Sequence, residues 1–413
     1  MKIIHLADLH LGKMLHGVSL IEKGDQPAWV DHFLSAAEKI RPDAVVIAGD
    51  VYDRSVPSRD AVELLDRLLT GLSRLGIAVL LIAGNHDSGP RLNFASTLLE
   101  SQRVYISGNI GKELRKVTLH DASGPVHFYL MPYLFPAAVE EALGCKDLRT
   151  YDAAARTLLA AQQIDTSARN VLIAHQLVLC GAVQPEAGGS ETMVGGVGQI
   201  DAGAFDQFDY VALGHIHKPQ AMGRDTVRYA GSPLCYHFSE IGWKKGPLLV
   251  EIGPKGEKIR TSLIEIEPLH ALREIKGEYA DILSAEKAAP NSGEYIRVIL
   301  TDKTVPSNAL ESLTDYFESK GSVLMEVTRE QRQIDLSGGD AAGACVKERS
   351  LYELFEEFFG VRTGGEFPDE AEQGLIGLAA EQTERLDEDV SPEDIEKAAA
   401  KLVNFALGEV DAE

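Results

Sequence analysis

Five short apolar runs in this chain each stop at residues that ligate metal ions. Ile3 to Ala7 leads into Asp8 and His10, and Ala44 to Ala48 into Gly49, Asp50 and Asp53. Val79 to Ala83 leads into Gly84, Asn85, His86 and Asp87. Val171 to Ala174 ends at His175, and Tyr210 to Leu213 at Gly214, His215 and His217. A short apolar run bounded by turn residues predicts a strand buried on both faces. Open α/β sheets bind ligands just past the carboxyl ends of such strands. The pattern therefore gathers two carboxylates, one amide and up to five imidazoles on one rim. That donor set suits two divalent cations and points to hydrolysis of a phosphate ester.

Between these runs the period changes to that of helices, as in an α/β layer fold. Ala61, Leu64, Leu65, Leu68, Leu69 and Leu72 predict a helix from Pro57 to Leu75, stopped by Gly76. A second helical stretch is expected around Leu92 to Leu99. Residues 181–198 are glycine-rich and irregular, a loop that either walls the cleft or merely moves. Thr226–Tyr229, Pro247–Ile252 and Lys258–Ile264 read as hairpin strands completing a second sheet. The style changes after Pro268: residues 268–335 predict a small α+β unit, with strands at Tyr295–Leu300 and Val323–Val327 around a helix near Ser307–Ser319. Residues 336–346 are small and flexible, a linker by composition. In 347–413, Ser350-Leu351-Tyr352-Glu353 is a capping box, and Leu351, Leu354, Phe355, Phe358 and Phe359 form one apolar stripe. Ser391-Pro392 opens a further helix. A groove for a partner helix and a self-packed helical pair both fit these faces.

Composition narrows the class. The 413 residues are 45% hydrophobic and 25% charged, the balance of a folded protein. The first apolar run begins at Ile3, so no secretory leader is expected, and no run approaches the ~18 residues of a membrane span. A cytoplasmic location is the expectation. The four cysteines form no C-x-x-C pair, which argues against a zinc ribbon or redox motif. The net charge of −23 is unusual for a protein that handles polyanions. It is unevenly spread: residues 347–413 hold 6 Lys and Arg against 19 Asp and Glu, leaving −10 on the first 346. Local charge at the rim governs substrate approach more than the total does.

The motifs D-x-H, G-D-x-x-D, G-N-H-D, a lone histidine after a strand and G-H-x-H occur in the order found in calcineurin-like metallophosphoesterases. Longer stretches resemble the SbcD-type nuclease subunits of DNA double-strand-break repair complexes: Asp8 to Lys13 with Leu15 to Leu20, Gly84 to Ser88, Ala212 to Gln220, Gly231 to Leu234 and Phe238 to Glu240. The similarity is strong over residues 1 to about 265, weaker through the small unit, and returns at Ser350 to Phe355. It implies a four-layered α/β sandwich of two sheets flanked by helices, with a nuclease domain over 1–267, an α+β capping, DNA-binding domain over 268–335 and C-terminal partner-binding helices.

The resemblance also implies roles. Asp50 would bridge two ions, Asp8, His10 and His217 would complete one site, and Asn85, His175 and His215 the other. Histidine, carboxylate and amide ligands without thiolate favour Mn²⁺, and also suit Zn²⁺ and Fe²⁺. His86 would be the catalytic proton donor rather than a ligand, with Asp53 orienting it. Asp87 is expected to be structural, as are most histidines outside the motifs: His5, His16, His32, His120, His127, His237 and His270. Lys13, His16, Arg91 and Lys218 are candidates for phosphate contact. The implied activity is 3′→5′ exonucleolytic and single-strand or hairpin endonucleolytic cleavage of DNA, by two-metal attack of hydroxide on the phosphodiester. The implied partners are DNA, an SbcC-type coiled-coil ATPase docked on the C-terminal helices, and a second copy of the chain packed through the helices near Pro57–Leu75 and Leu92–Leu99. The motifs alone also permit a phosphoesterase for nucleotides or phosphoproteins, or a protein whose main task is to scaffold the ATPase.

Overall fold

The computed structural model describes residues 1–189, 198–284, 293–302, 304–306 and 308–330. Residues 1–330 form one compact unit. The linker, the capping box, the apolar stripe and the helix opened by Ser391 lie outside the described residues, as do residues 190–197 of the glycine-rich stretch.

Two six-stranded sheets face each other. The first runs in the order Arg260–Leu263, Leu248–Glu251, Lys2–Leu6, Ala44–Ala48, Ala78–Ile82, Val104–Ser107; its last four strands are parallel. The second runs Gln220–Met222, Arg224–Tyr229, Tyr210–Gly214, Arg169–His175, Gly124–Met131, Arg115–Asp121, with its middle four parallel. All five predicted ligand-bearing strands are present. Strand alternation sorts their side chains into layers. Ile3, Val46, Leu80, Val171, Ile173 and Ala212 fill the space between the sheets. Ile4, Val45, Ile47, Val79 and Leu81 point the other way, onto the helices Asp25–Ile40 and Arg59–Arg74. Leu172, Ala174, Val211 and Leu213 cover the opposite outer face with the helices Pro136–Leu143 and Tyr151–Ala160. The order helix, sheet, sheet, helix is the expected four-layer sandwich.

The Leu248–Leu263 hairpin corrects one expectation. It pairs antiparallel with Lys2–Leu6 and so extends the first sheet rather than the second. Only Arg224–Tyr229 joins the second. Arg59–Arg74 starts where Ser58 Oγ accepts the Ala61 N–H, an ordinary N-cap. The stretch expected at Leu92–Leu99 is two short turns, Gly89–Leu92 and Ser96–Leu99.

The far end of the sandwich is tied by Arg169. Its guanidinium donates to both Asp121 carboxylate oxygens and to the carbonyls of Pro125 and Gly253. The small α+β unit has three parallel strands, Leu272–Gly277, Tyr295–Leu300 and Val323–Arg329, with a core of Ile275, Val298, Leu313 and Phe317. Asp25 joins it to the main body, accepting from Tyr295 Oη at 2.6 Å and pairing with His270 Nδ1 at 2.9 Å.

Candidate metal centre

The carboxyl ends of the ligand strands meet, and the seven predicted ligands converge there from both sheets. Asp8, His10, Asp50 and Asn85 follow strands of the first sheet; His175, His215 and His217 belong to the second. Close passage of the two sheets needs glycine. A Cβ on Gly214 would stand 2.0 Å from the Ala48 carbonyl oxygen and 2.7 Å from His175 Nδ1. On Gly84 it would stand 2.2 Å from the Asp50 carboxylate. Several ligands also sit at positive φ: Asp8 at 53°, His10 at 43°, Asp50 at 47° and His215 at 99°. Such backbone is uncommon outside glycine, and it turns each side chain sharply off its strand into the rim.

Asp50 lies at the centre. Its Oδ2 is 3.3 Å from His175 Nε2 and 3.6 Å from His10 Nε2, and its Oδ1 accepts the His86 main-chain N–H. Asp8, His10 and His217 bring one donor atom each within 4.8 Å of one another, the set expected for one ion. Asn85 Oδ1 is 3.0 Å from His175 Nε2 and 3.1 Å from His215 Nδ1, the set expected for the other. Two details fit this cluster to cations. Asp8 Oδ2 is buried with no protein hydrogen-bond partner. His10 Nε2 and His217 Nε2 face each other at 3.2 Å, lone-pair sites that a shared cation would reconcile. Asp8, His10, Asp50, His175 and His217 are buried, whereas Asn85 is exposed and His215 half-buried, so the site opens on the Asn85 side.

Burial holds the His10 imidazole down at about 4 and, with neighbouring His175, His215 at about 3, so both rings are neutral donors at physiological pH. Burial pushes Asp8 up to about 6. Burial alone would lower His175, but the Asp50 and Asp8 carboxylates outweigh it and raise that group to about 9. Burial likewise opposes ionisation of Asp50, yet His175, His10 and His86 hold it well below the usual carboxylate range.

An outer shell fixes the ligands. His175 Nδ1 donates to Ala48 O at 2.8 Å, which presents Nε2 to the rim. His217 Nδ1 lies 3.4 Å from Glu240 Oε1. Glu240 is fully buried, accepts from Lys245 Nζ at 2.6 Å and from the Tyr236 N–H at 3.1 Å. Burial would raise Glu240, but His217 and Lys245 bring it down to about 2. Gln26 donates to His10 O at 2.8 Å, and Tyr236 Oη to Leu9 O at 2.6 Å. Glu240, Gln26 and Tyr236 were not predicted as functional: Glu240 ends one of the stretches that carry the resemblance, Gln26 and Tyr236 lie outside them, and only neighbours in space reveal what each does. Glu240→Gln is expected to weaken Mn²⁺ affinity about 10–100-fold. Titration of the metal-stripped protein checks this; unchanged affinity would show that Glu240 does not orient His217.

His86 differs from the ligands in having a side chain 39% exposed at the mouth of the site. Its Nδ1 donates to the Asp53 main-chain carbonyl at 2.9 Å, and its Nε2 stands 4.0 Å from Asp50 Oδ2. The role expected for Asp53 changes accordingly: its carboxylate faces His10 Nδ1 at 3.4 Å and Lys13 Nζ at 2.9 Å, so Asp53 holds His86 by backbone alone. Lys13 is thereby engaged with Asp53. Asp87 is structural as expected: its carboxylate accepts the N–H groups of Val51, Tyr52 and Gly84, clamping two ligand loops together. His5 is a core residue between the sheets, bonded to Tyr210 Oη and Leu213 O. His16 packs on Phe238 at 5.4 Å, Lys218 pairs with Glu186, and Arg91 is exposed.

Comparison with known proteins gives the family. The calcineurin-like phosphoesterase family model matches residues 1–219. The SbcD subunit of nuclease SbcCD from Staphylococcus saprophyticus is 35% identical over 320 residues, which are 77% of this chain and 82% of the relative. Its counterpart from Staphylococcus epidermidis is 35% identical over 305 residues, 73% and 79% of the two chains. The chain belongs to the calcineurin-like phosphoesterases, in the family of SbcD nuclease subunits. Residues 268–363 match a second family model, the type 5 capsule protein repressor C-terminal domain. As a family member the chain is a metal-dependent phosphodiesterase, and the rim just described brings together groups of histidine and aspartate that could hold a metal ion. No described helix is long and apolar enough to cross a membrane.

Proposed function

We propose that this phosphodiesterase is a Mn²⁺-dependent DNA nuclease subunit, cutting 3′→5′ from ends and endonucleolytically at single strands or hairpins. The observation that carries the reading is the donor set around Asp50, with half-exposed His86 held at its open edge. Asp8, His10 and His217 would hold one ion, Asn85, His175 and His215 the other, and Asp50 both. When bound, such a pair polarises the phosphodiester and activates the attacking water. The protein supplies the rest. The Asp53 carbonyl takes the His86 Nδ1 proton as a hydrogen bond and aims Nε2 at the mouth. Nε2 then carries the proton for the departing 3′-oxygen. The two staphylococcal relatives, both nuclease subunits of an SbcCD complex, support DNA as substrate and an SbcC-type coiled-coil ATPase as partner. Residues 268–335 would cap the DNA path, 336–346 link onward, and 347–413 would receive the ATPase, in the cytoplasm.

Labelled linear and hairpin DNA, incubated with Mn²⁺, tests this. His86→Ala is expected to cut about 10²–10⁴-fold more slowly with metal binding intact. Turnover of a nucleotide diester with DNA untouched, even with the ATPase added, would instead favour a phosphoesterase of small substrates.

A homodimer is proposed on exposed apolar side chains. Phe94 is 82% and Leu98 76% exposed, with Val62 on the helix Arg59–Arg74 at 45%. Exposed apolar residues at this density mark an interaction face. Light scattering is expected to give a dimer for the natural chain and a monomer for Phe94→Glu combined with Leu98→Glu; equal masses would place the interface elsewhere.

A further inference from the structure

Beside the metal centre lies an aromatic cluster that the mechanism leaves unused. The Tyr133 ring centroid is 6.2 Å from that of His175 and 6.3 Å from that of His215. Phe135 packs edge-to-face on Tyr133 at 4.9 Å, and Tyr151 is 6.3 Å from both. The Tyr133 N–H donates to Ala83 O at 2.9 Å, so the cluster is anchored to the strand end that carries Asn85. Burial and the bonded Tyr151 hydroxyl push the Tyr133 phenol up, keeping it neutral. Phe135, in contrast, is 51% exposed.

Tyr133 and Phe135 wall a cavity of about 580 Å³ that opens on Asn85. That volume lies within the ~300–1,000 Å³ common for small-molecule sites. The lining also includes Gly84, Gly89, Gly108 and Gly111, which add no side-chain bulk, and Asn109. Among the described residues its only charged ones are Asp87 and Glu141, both acidic, and the Asp87 carboxylate is already committed to three main-chain N–H groups. With no Lys or Arg on that lining, a phosphate is disfavoured there and must stay with the cations. What fits is a flat, neutral group tethered to that phosphate. Unpaired nucleic-acid bases meet the requirement, because each has a free π-face for an aromatic ring and the contact tolerates any base.

We propose that Phe135 and Tyr133 form a stacking platform for the base of the nucleotide whose phosphate is being cut, in an unpaired DNA end. The platform makes strand opening part of substrate recognition, since a base paired inside a duplex offers no free face to it. This inference rests on the DNA nuclease reading above and adds the subsite that positions the terminal nucleotide.

Single strands ending in 3′-terminal thymidine or a 3′-terminal abasic residue test it, each with Mn²⁺ and the full-length protein. The natural chain is expected to show kcat/KM about tenfold higher for the thymidine end. Phe135→Ala should erase that ratio and leave abasic-end cleavage unchanged, while Phe135→Trp should retain the ratio. A natural chain that treats both ends alike would overturn the platform, as would Phe135→Ala keeping the preference. Equal loss on both ends would do the same, because it would mark Phe135 as merely structural. Failure of the natural chain to cut either strand, with a chromogenic diester still hydrolysed, would bring down the nuclease reading and the platform together.

Discussion

Asp50→Asn is expected to abolish turnover, lowering Mn²⁺-dependent diester hydrolysis by on the order of 10³-fold or more. Asp50 lies within 4 Å of a ligand imidazole nitrogen from each sheet, His10 from the first and His175 from the second. An asparagine keeps the shape but removes the negative charge and one acceptor oxygen. Several kcal/mol of charge stabilisation attend such a pair of ions, and each ~1.4 kcal/mol is a factor of ten in rate. Metal stoichiometry separates this from a folding defect: two ions per chain should fall to one or none while circular dichroism stays that of the natural protein. Retention of two ions would mean that Asp50 does not bridge.

Gly214→Ala is expected to have the largest structural effect of a single methyl group. Its Cβ would sit 2.0 Å from the Ala48 carbonyl, deep inside normal contact distance, and backbone cannot rotate away as a side chain does. The two sheets must part locally. That takes Ala48 O out of reach of His175 Nδ1 and loosens a ligand. Overpacking at a rigid contact costs about 3 kcal/mol, or roughly 5–10 °C in Tm. Displacing a ligand by as little as ~1 Å can cost a further 10²-fold in rate. Calorimetry and initial rates check both halves; a natural Tm with full activity would show that the sheets have slack at this point.

Much of this was legible in the linear pattern because the site is built from strand ends. Ala44–Ala48 and Ala78–Ile82 are buried on both faces, so they read as unbroken apolar runs, and the polar residue that stops each run marks the rim. What escaped were elements whose signal is weaker or whose partners are distant. Asp25–Ile40 buries Trp29, Phe33 and Ala37 at helical spacing, but it opens on Gly24 at positive φ without a side-chain cap. The hairpin Leu248–Leu263 has no local feature that says which sheet it joins; register against Lys2–Leu6 decides that. Asp53 shows the limit at the site. The resemblance implied a role for it in orienting His86, and it is the main-chain carbonyl that makes that bond while the carboxylate turns to His10 and Lys13.

The division of the ligands between the sheets has a thermodynamic consequence. Neither half of the sandwich holds a complete coordination shell, and Asp8 and His215, joined across the seam, are 207 residues apart in the chain. Ions seated there would bind only when both halves are docked, and would then act as a reversible clasp on tertiary structure. By mass action, free metal at a hundred times the dissociation constant adds about 2.7 kcal/mol per site to the folded state. On the proposed function, the supply of divalent ions would thus set how long the molecule stays closed as well as how fast it cuts.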